Sequence, residues 1–181
     1  MVFAVVLLYV FLAGGAAKFQ DTKLNSGDLT PITYDYLLCR LCGGDVSPII
    51  SLSSIECPAS LKTRVIPLFG LKEVKVHTVK NAVQLTFDVI ILTKAYCTGG
   101  TDDWQTENSW FPGYAYKSCV CFHCGRQIGW IFEPLHSANS GKIYPSLLGF
   151  YAVIVPSVVS EIYADSLIVV PKHFDASVDV F

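Results

Sequence analysis

The amino-acid sequence predicts an all-β fold for most of its 181 residues. Short runs of β-branched and aromatic residues are punctuated by Gly, Pro and Asn, the pattern of strands separated by turns. Apolar residues at the 3.6-residue spacing of a helix are hard to find. Two Cys-x-x-Cys-Gly units, Cys39–Gly43 and Cys121–Gly125, stand far apart in the chain and suit a domain whose distant segments are pinned together.

The chain opens with Val2–Leu12, all apolar, followed by Ala13–Ala17, all small, and its first charge is Lys18. That is the apolar core and cleavage pattern of a secretory signal peptide, so residues 1–17 are expected to be removed before Lys18 and the product to be secreted, extracellular protein. No Lys or Arg precedes the apolar run, and the alternative is a buried N-terminal strand or helix. Residues 18–30, with Asn25-Ser26-Gly27-Asp28, are polar and turn-rich and read as a mobile segment leading into a domain over residues 31–160. Within it, strands are predicted at Ile32–Leu38, Pro48–Leu52, Arg64–Phe69, Val74–Val79, Val83–Thr93, Tyr114–Val120, Ile128–Glu133 and Phe150–Val155. In the fifth of these, Val83, Leu85, Phe87 and Val89 alternate with Gln84, Thr86 and Asp88, which suits a strand with one face in a core. Ile143–Ser160 is 18 residues without a charge, long enough to raise a membrane-spanning helix. Pro145, Pro156 and the β-branched Val153-Ile154-Val155 favour buried strands instead, and no membrane partner is expected. Residues 161–181 read as a C-terminal tail, and no internal repeat is evident.

Hydrophobic residues make up 52% and charged residues 15%, so the chain can bury a core and is not of the disordered class. Thirteen basic against fifteen acidic residues give a net charge of -2. A protein that grips nucleic acid by neutralising phosphates carries a basic excess, so no nucleic-acid partner is expected.

Cys39, Cys42, Cys121 and Cys124 have the spacing of four thiolates that close a tetrahedron around one Zn2+. The glycine after each pair fits a sharp turn, where a left-handed backbone costs glycine little. A site filled by four protein ligands leaves no position for water or substrate, so the metal is expected to be structural. Redox pairs or disulfides are the alternative, which a secretory compartment permits. His123 lies between two ligands but is not needed as one. Cys57, Cys97 and Cys119 are left over, and three thiols form at most one disulfide among themselves.

All three tryptophans lie between Trp104 and Trp130, and Trp104–Phe132 carries eight aromatic residues. Trp110, Tyr116 and Trp130 come from the two flanks of the second cysteine unit. Three such faces can box a small planar or cationic group, or they can pack as core.

The run Ser109-Trp110-Phe111-Pro112-Gly113-Tyr114-Ala115-Tyr116, then Cys121-x-x-Cys124, then Ile128-Gly129-Trp130-x-Phe132, closely resembles the CULT domain family, the thalidomide-binding domains of cereblon type. The resemblance implies a β-tent: two antiparallel sheets pinned by a structural zinc. It also implies a binding site and not an enzyme. Trp110, Tyr116 and Trp130 would form a cage for the ring of a cyclic imide or uridine-like ligand, including a cyclic imide at a peptide end. Phe132 would lie at the floor or rim, and backbone groups of Asn108 and Trp110 would pair with the imide edge. Alanine at Trp110 or Trp130 is then expected to remove binding and spare the fold. This sequence departs from the family at Tyr116, where the third tryptophan is replaced, and between Pro67 and Cys97, where it is longer by about one hairpin around Val79–Val83. The family's Asn-Pro pair at the pocket mouth corresponds to Ile66-Pro67. The Lon-like domain of cereblon has no match here, so no ubiquitin-ligase adaptor is expected as a partner. Three other readings stand beside this one. A protein-interaction module of Yippee type shares the zinc fold without the cage. A cation could fill the cage, helped by Asp102, Asp103 and Glu107. A methionine sulfoxide reductase of B type would need a reactive cysteine near the C-terminus, and the last cysteine is Cys124.

Overall fold

The computed structural model describes residues 35–167. The predicted signal peptide 1–17, the segment 18–30 and residues 168–181 of the predicted tail lie outside the described residues. The chain is all-β, in two antiparallel sheets. A three-stranded sheet runs in the order β11-β1-β2, from β1 (Tyr36–Cys39), β2 (Asp45–Pro48) and β11 (Val158–Ser160). The larger sheet has the order β4-β5-β6-β10-β9-β8-β7. Its strands are β4 (Lys62–Leu68), β5 (Leu71–Lys80), β6 (Thr86–Leu92), β7 (Cys97–Gly99), β8 (Tyr114–Cys121), β9 (Gln127–Pro134) and β10 (Phe150–Ile154), with β3 (Leu52–Ser53) paired to β6.

The central strands are buried on both faces, which explains their near-continuous apolar runs. In β6, Ile90 and Leu92 belong to one core cluster while Val89 and Ile91 belong to another. In β10, Tyr151 and Val153 join the first, and Phe150 and Ala152 the second. The first cluster continues into the small sheet through Leu37, Cys39, Val46 and Val158. The second is rich in aromatic residues: Trp110, Phe111, Trp130, Phe132 and Phe150. One sheet therefore carries an aliphatic, cysteine-rich core on one side and an aromatic core on the other.

Three sequence expectations differ from the structure, while Ile143–Ser160 follows its expectation of strands. Only Pro48 and Leu52 of the Pro48–Leu52 segment are extended; Ile49–Ser51 is a 3₁₀ turn whose Ile49 N–H donates to the Asp35 carbonyl at 2.9 Å. The strand expected from Val83 starts only at Thr86. Residues 81–85 are the β5–β6 turn, closed by Asn81 N–H to Leu85 O at 2.9 Å and Leu85 N–H to Asn81 Oδ1 at 2.8 Å. Val83 is 72% exposed, so its place in the apolar alternation reflects no core face. Ile143–Ser160 holds β10, a 3₁₀ turn and β11, and among the described residues no helix is long and apolar enough to cross a membrane. Residues Glu161–Ser166, placed in the tail by the sequence, form the short helix α1, whose Ile162 N–H donates to Asp35 Oδ1 at 3.2 Å and Tyr163 N–H to Ser160 Oγ at 3.3 Å.

Gly129 sits where β9 and β10 approach most closely. A Cβ there would lie 2.2 Å from the Ala152 carbonyl oxygen and 2.9 Å from Val153 Cα. Backbone cannot rotate away as a side chain can, so Gly129→Ala is expected to destabilise by about 3 kcal/mol, at the upper end of overpacking effects. The midpoint of urea unfolding measures it.

His77, in β5, is fully buried; its Nε2–H donates to Ile55 O at 3.1 Å and its Nδ1 accepts from the Thr63 hydroxyl at 3.0 Å. Burial disfavours the charged ring and pulls its pKa below the usual histidine value. The unfolded chain then binds a proton that the folded chain refuses. Stability is full above about pH 6.5 and falls as the pH drops toward the lower folded pKa, by about 1.4 kcal/mol per unit of depression. His77→Gln should flatten this slope between pH 7 and 5 in urea titrations, while acid release of a thiolate-bound metal would persist in both proteins.

Candidate functional site

Cys39 ends β1 in the small sheet and Cys121 ends β8 in the large one; Cys42 and Cys124 follow in the turns. The two turns are built alike. Gly43 N–H donates to Cys39 O at 2.8 Å and Cys39 N–H to Gly44 O at 2.7 Å, while Gly125 N–H donates to Cys121 O at 2.9 Å and Cys121 N–H to Arg126 O at 2.8 Å. Gly43 and Gly125 have φ of 73° and 70°, and a Cβ at either would meet nothing within 4 Å. The left-handed backbone, not crowding, is what calls for glycine.

The four sulfurs lie within 4.8 Å of one another. Cys39 Sγ is 3.9 Å from Cys124 Sγ, and Cys42 Sγ is 3.8 Å from Cys121 Sγ. A tetrahedron with metal–sulfur bonds of about 2.3 Å has edges of about 3.8 Å, so the four cysteines could hold one metal ion. Disulfides, at about 2.0 Å, do not fit these separations. His123 stays outside the cluster, exposed, with its ring over Gly44. Among the leftover thiols, Cys97 and Cys119 form a disulfide joining β7 to β8. Cys57 is a free, buried thiol whose pKa burial pushes up to about 11.

On the opposite face of β8 and β9 the aromatic residues close around a cavity of about 150 Å3. Trp110, Tyr116, Trp130, Phe132 and Asn108 all line it. Trp110 and Trp130 meet edge to face, their centroids 4.7 Å apart at 70°. Phe132 is the floor: it is fully buried, 5.9 Å from Trp110 and 6.0 Å from Tyr116, and stacks on Phe150 behind it. Trp110 is held from outside the cavity, its Nε1–H donating to Lys80 O at 2.8 Å and its carbonyl accepting from Ala59 N–H at 3.3 Å. Tyr116 donates its hydroxyl to Glu107 O at 3.2 Å. Burial raises the Tyr116 pKa, and the Glu107 charge adds to the effect. Asn108 is exposed at the rim with φ of 59°.

Three lining residues escaped the sequence expectation: Asn81, Ala82 and Val83, from the β5–β6 turn. Asn81 and Ala82 fall in the hairpin expected around Val79–Val83, and Val83 opens the strand expected after it, but none of the three was expected to line a site. Asn81 was the available signal, since asparagine commonly closes turns through its own side chain. Ile66-Pro67, expected at the pocket mouth, is not there. Ile66 packs against the aliphatic core, and the cavity lining includes Asn81 and Ala82 from the β5–β6 turn. Trp104 also stands apart from the cavity, its Nε1–H donating to Lys142 O at 3.1 Å.

No family model matches the chain. Part of it is similar to cereblon. Cereblon of Drosophila virilis is 33% identical over 55 residues, covering 30% of this chain and 9% of the fly protein. Cereblon of Drosophila melanogaster is 31% identical over 55 residues, with the same two shares. The match thus spans less than a tenth of those cereblon chains. It supports a cereblon-like relationship and, with the four-cysteine cluster and the aromatic pocket, is compatible with a metal-stabilised ligand-binding module.

Proposed function

We propose that this protein is a secreted, zinc-stabilised binding module, without catalysis, whose aromatic cage takes the ring of a small cyclic imide or uridine-like ligand. The observation that carries the proposal is the cavity of about 150 Å3 walled by Trp110, Tyr116, Trp130 and Phe132. An apolar cavity of about 150 Å3 accepts a benzene-sized ring. The ring's methylenes would face the aromatic walls, and its polar edge would face Asn81, Asn108 and the Trp110 backbone. Zinc suits the all-sulfur ligand set and the sulfur spacing. Four protein ligands would saturate it, which is why no chemistry is assigned to the metal. Secretion is supported by the leader pattern of residues 1–17 and by a disulfide, a bond that persists in oxidising compartments. No adaptor of a ubiquitin ligase and no nucleic acid enters this proposal as a partner.

A cationic ligand is the second reading, favoured by the influence of the Glu107 carboxylate on Tyr116 in the cage wall. Calorimetric or tryptophan-fluorescence titration with glutarimide, uridine and tetramethylammonium separates the two. Micromolar binding of glutarimide or uridine alone is the expected result. Binding of the ammonium alone would transfer the cage to cations.

A further inference from the structure

Three cysteines share one face of the β7–β8 pair. Cys97 in β7 lies directly opposite Cys121 in β8, and Cys119, two residues before Cys121, points to the same side, as the alternating burial along β8 shows. All three are 0–1% exposed and belong to the same core cluster. Their sulfurs are engaged differently. Cys97 is bonded to Cys119, its diagonal neighbour, whereas the Cys121 sulfur lies in the four-cysteine cluster, 3.8 Å from Cys42 Sγ.

The register makes Cys121 a second sterically permitted partner for Cys97. Residues directly opposite in an antiparallel pair have Cα atoms about 4.5–5.5 Å apart, inside the range of about 4.4–6.8 Å that a disulfide spans. The existing bond from Cys97 to Cys119 spans 5.6 Å between Cα atoms. Cys119 and Cys121, two apart on one strand, stand about 6.6–6.8 Å from each other, at the limit of that range. Cys97 is therefore the residue on which two neighbours converge. Burial narrows the chemistry further. In the folded chain a dissolved thiol cannot reach a disulfide sealed in the core, so a nucleophile has to come from within, and Cys121 is the free cysteine that faces Cys97 across the strands.

We propose that Cys121 serves both the four-cysteine cluster and a thiol–disulfide switch: released from the cluster it displaces Cys119 from Cys97, and the chain then cannot take metal back until a thiol reductant reverses the exchange. The proposal rests on the reading of the four cysteines as a metal site. Cys121 leaves the cluster as the thiolate that ligation requires. Its sulfur attacks Cys97 Sγ, the Cys97–Cys121 bond forms, the Cys97–Cys119 bond breaks, and the electron pair departs with Cys119 as its thiolate. One disulfide replaces another, so no oxidant is consumed. The ligand set is what changes: Cys39, Cys42 and Cys124 remain, and a closed tetrahedral site needs four. While Cys121 is ligated its sulfur is not free to attack, so the loaded chain keeps the bond between Cys97 and Cys119. Loss of metal is in this way recorded as a covalent bond.

Anaerobic chelation of the full chain, followed by acid quenching, thiol alkylation and peptide mass spectrometry, tests this. Elemental analysis of the starting protein comes first, and a chain that holds no metal overturns the metal reading and the switch with it. In protein shown to hold metal, chelation should leave Cys97 bonded to Cys121 and the alkyl label on Cys119, which fragment spectra separate across Val120. A sample kept loaded for the same time should retain the bond between Cys97 and Cys119. Zn2+ added back should enter only a minor fraction of the chelated chains until dithiothreitol is supplied, whereas the Cys97→Ser/Cys119→Ser variant, having no disulfide to exchange, should reload in full without it. Three outcomes overturn the switch and leave the metal reading standing: a persistent Cys97–Cys119 bond with the label on Cys121, a random mixture of pairings, or full reloading of the wild type without reductant.

Discussion

Stripping the metal with a strong chelator is expected to abolish cooperative unfolding of this protein. Binding at structural zinc sites is worth about 10–16 kcal/mol in zinc-finger peptides, whereas a domain is stable by about 5–15 kcal/mol in total. The metal's contribution is as large as the whole margin. Held by the four cysteines, the metal would also join a strand of one sheet to a strand of the other, Cys39 at the end of β1 and Cys121 at the end of β8. Cys39→Ser and Cys124→Ser should each give unfolded or poorly recovered protein, and elemental analysis of the wild type should give one zinc per chain. A metal-free chain that still melts cooperatively would overturn the assignment. The disulfide is a useful contrast. Its cysteines are 22 residues apart, so its removal in a Cys97→Ser/Cys119→Ser variant should cost about 3 kcal/mol and leave the metal in place.

Tyr116→Ala should weaken ligand binding by about 5- to 150-fold, the equivalent of roughly 1–3 kcal/mol of lost aromatic contact. Tyr116 is the cage wall to test first because it is only half buried. Trp110 and Trp130 are 6% and 8% exposed and pack on each other and on Phe132 or Phe87. Alanine at either should cost about 3–5 kcal/mol of stability as well as affinity. That corrects the expectation from sequence that these two substitutions would spare the fold. Tyr116→Trp should tighten binding of a cyclic imide by enlarging the wall, provided that the lost Glu107 hydrogen bond is not missed. Glutarimide calorimetry on Tyr116→Ala, Tyr116→Trp and wild type, with melting curves beside it, measures both effects. No binding by any of the three, with metal present, would mean that the rings serve as core.

The four-cysteine cluster and the aromatic lining of the cavity were legible because each depends on residue type at fixed local spacing. The two Cys-x-x-Cys-Gly turns fold alike here, and Tyr116 and Trp130 are brought onto neighbouring strands by the β8–β9 pairing that the second turn enforces, with Tyr116 opposite Phe132, while Trp110 lies in the loop before β8. The long strands were legible through their apolar content. β7 and β11 were not, since three residues carry too little pattern to separate from a loop. The hairpin expected around Val79–Val83 turns at Asn81–Leu85, but its return strand was started too early because Val83 and Leu85 are apolar yet exposed, and alternation cannot distinguish a residue facing core from one facing a ligand pocket or water. The pairing of Cys97 with Cys119 was beyond the sequence for another reason. Three thiols allow three pairings, and only the antiparallel register of β7 against β8, with Gly99 opposite Cys119 and Cys97 opposite Cys121, brings these two together.

The two-sided large sheet has a thermodynamic consequence. Residues of β8 and β9 alternate between the cysteine-rich core that encloses the four-cysteine cluster and the aromatic face that closes the cavity, so opening one side disturbs the strands that carry the other. A molecule that enters the cavity of the folded chain and ignores the unfolded one must then oppose metal loss, by about 2.7 kcal/mol at a hundred times its dissociation constant. The rate at which a chelator extracts the metal becomes a label-free gauge of cavity occupancy. Candidate ligands could be ranked by how long each one delays extraction, whichever ring the cavity was shaped to hold.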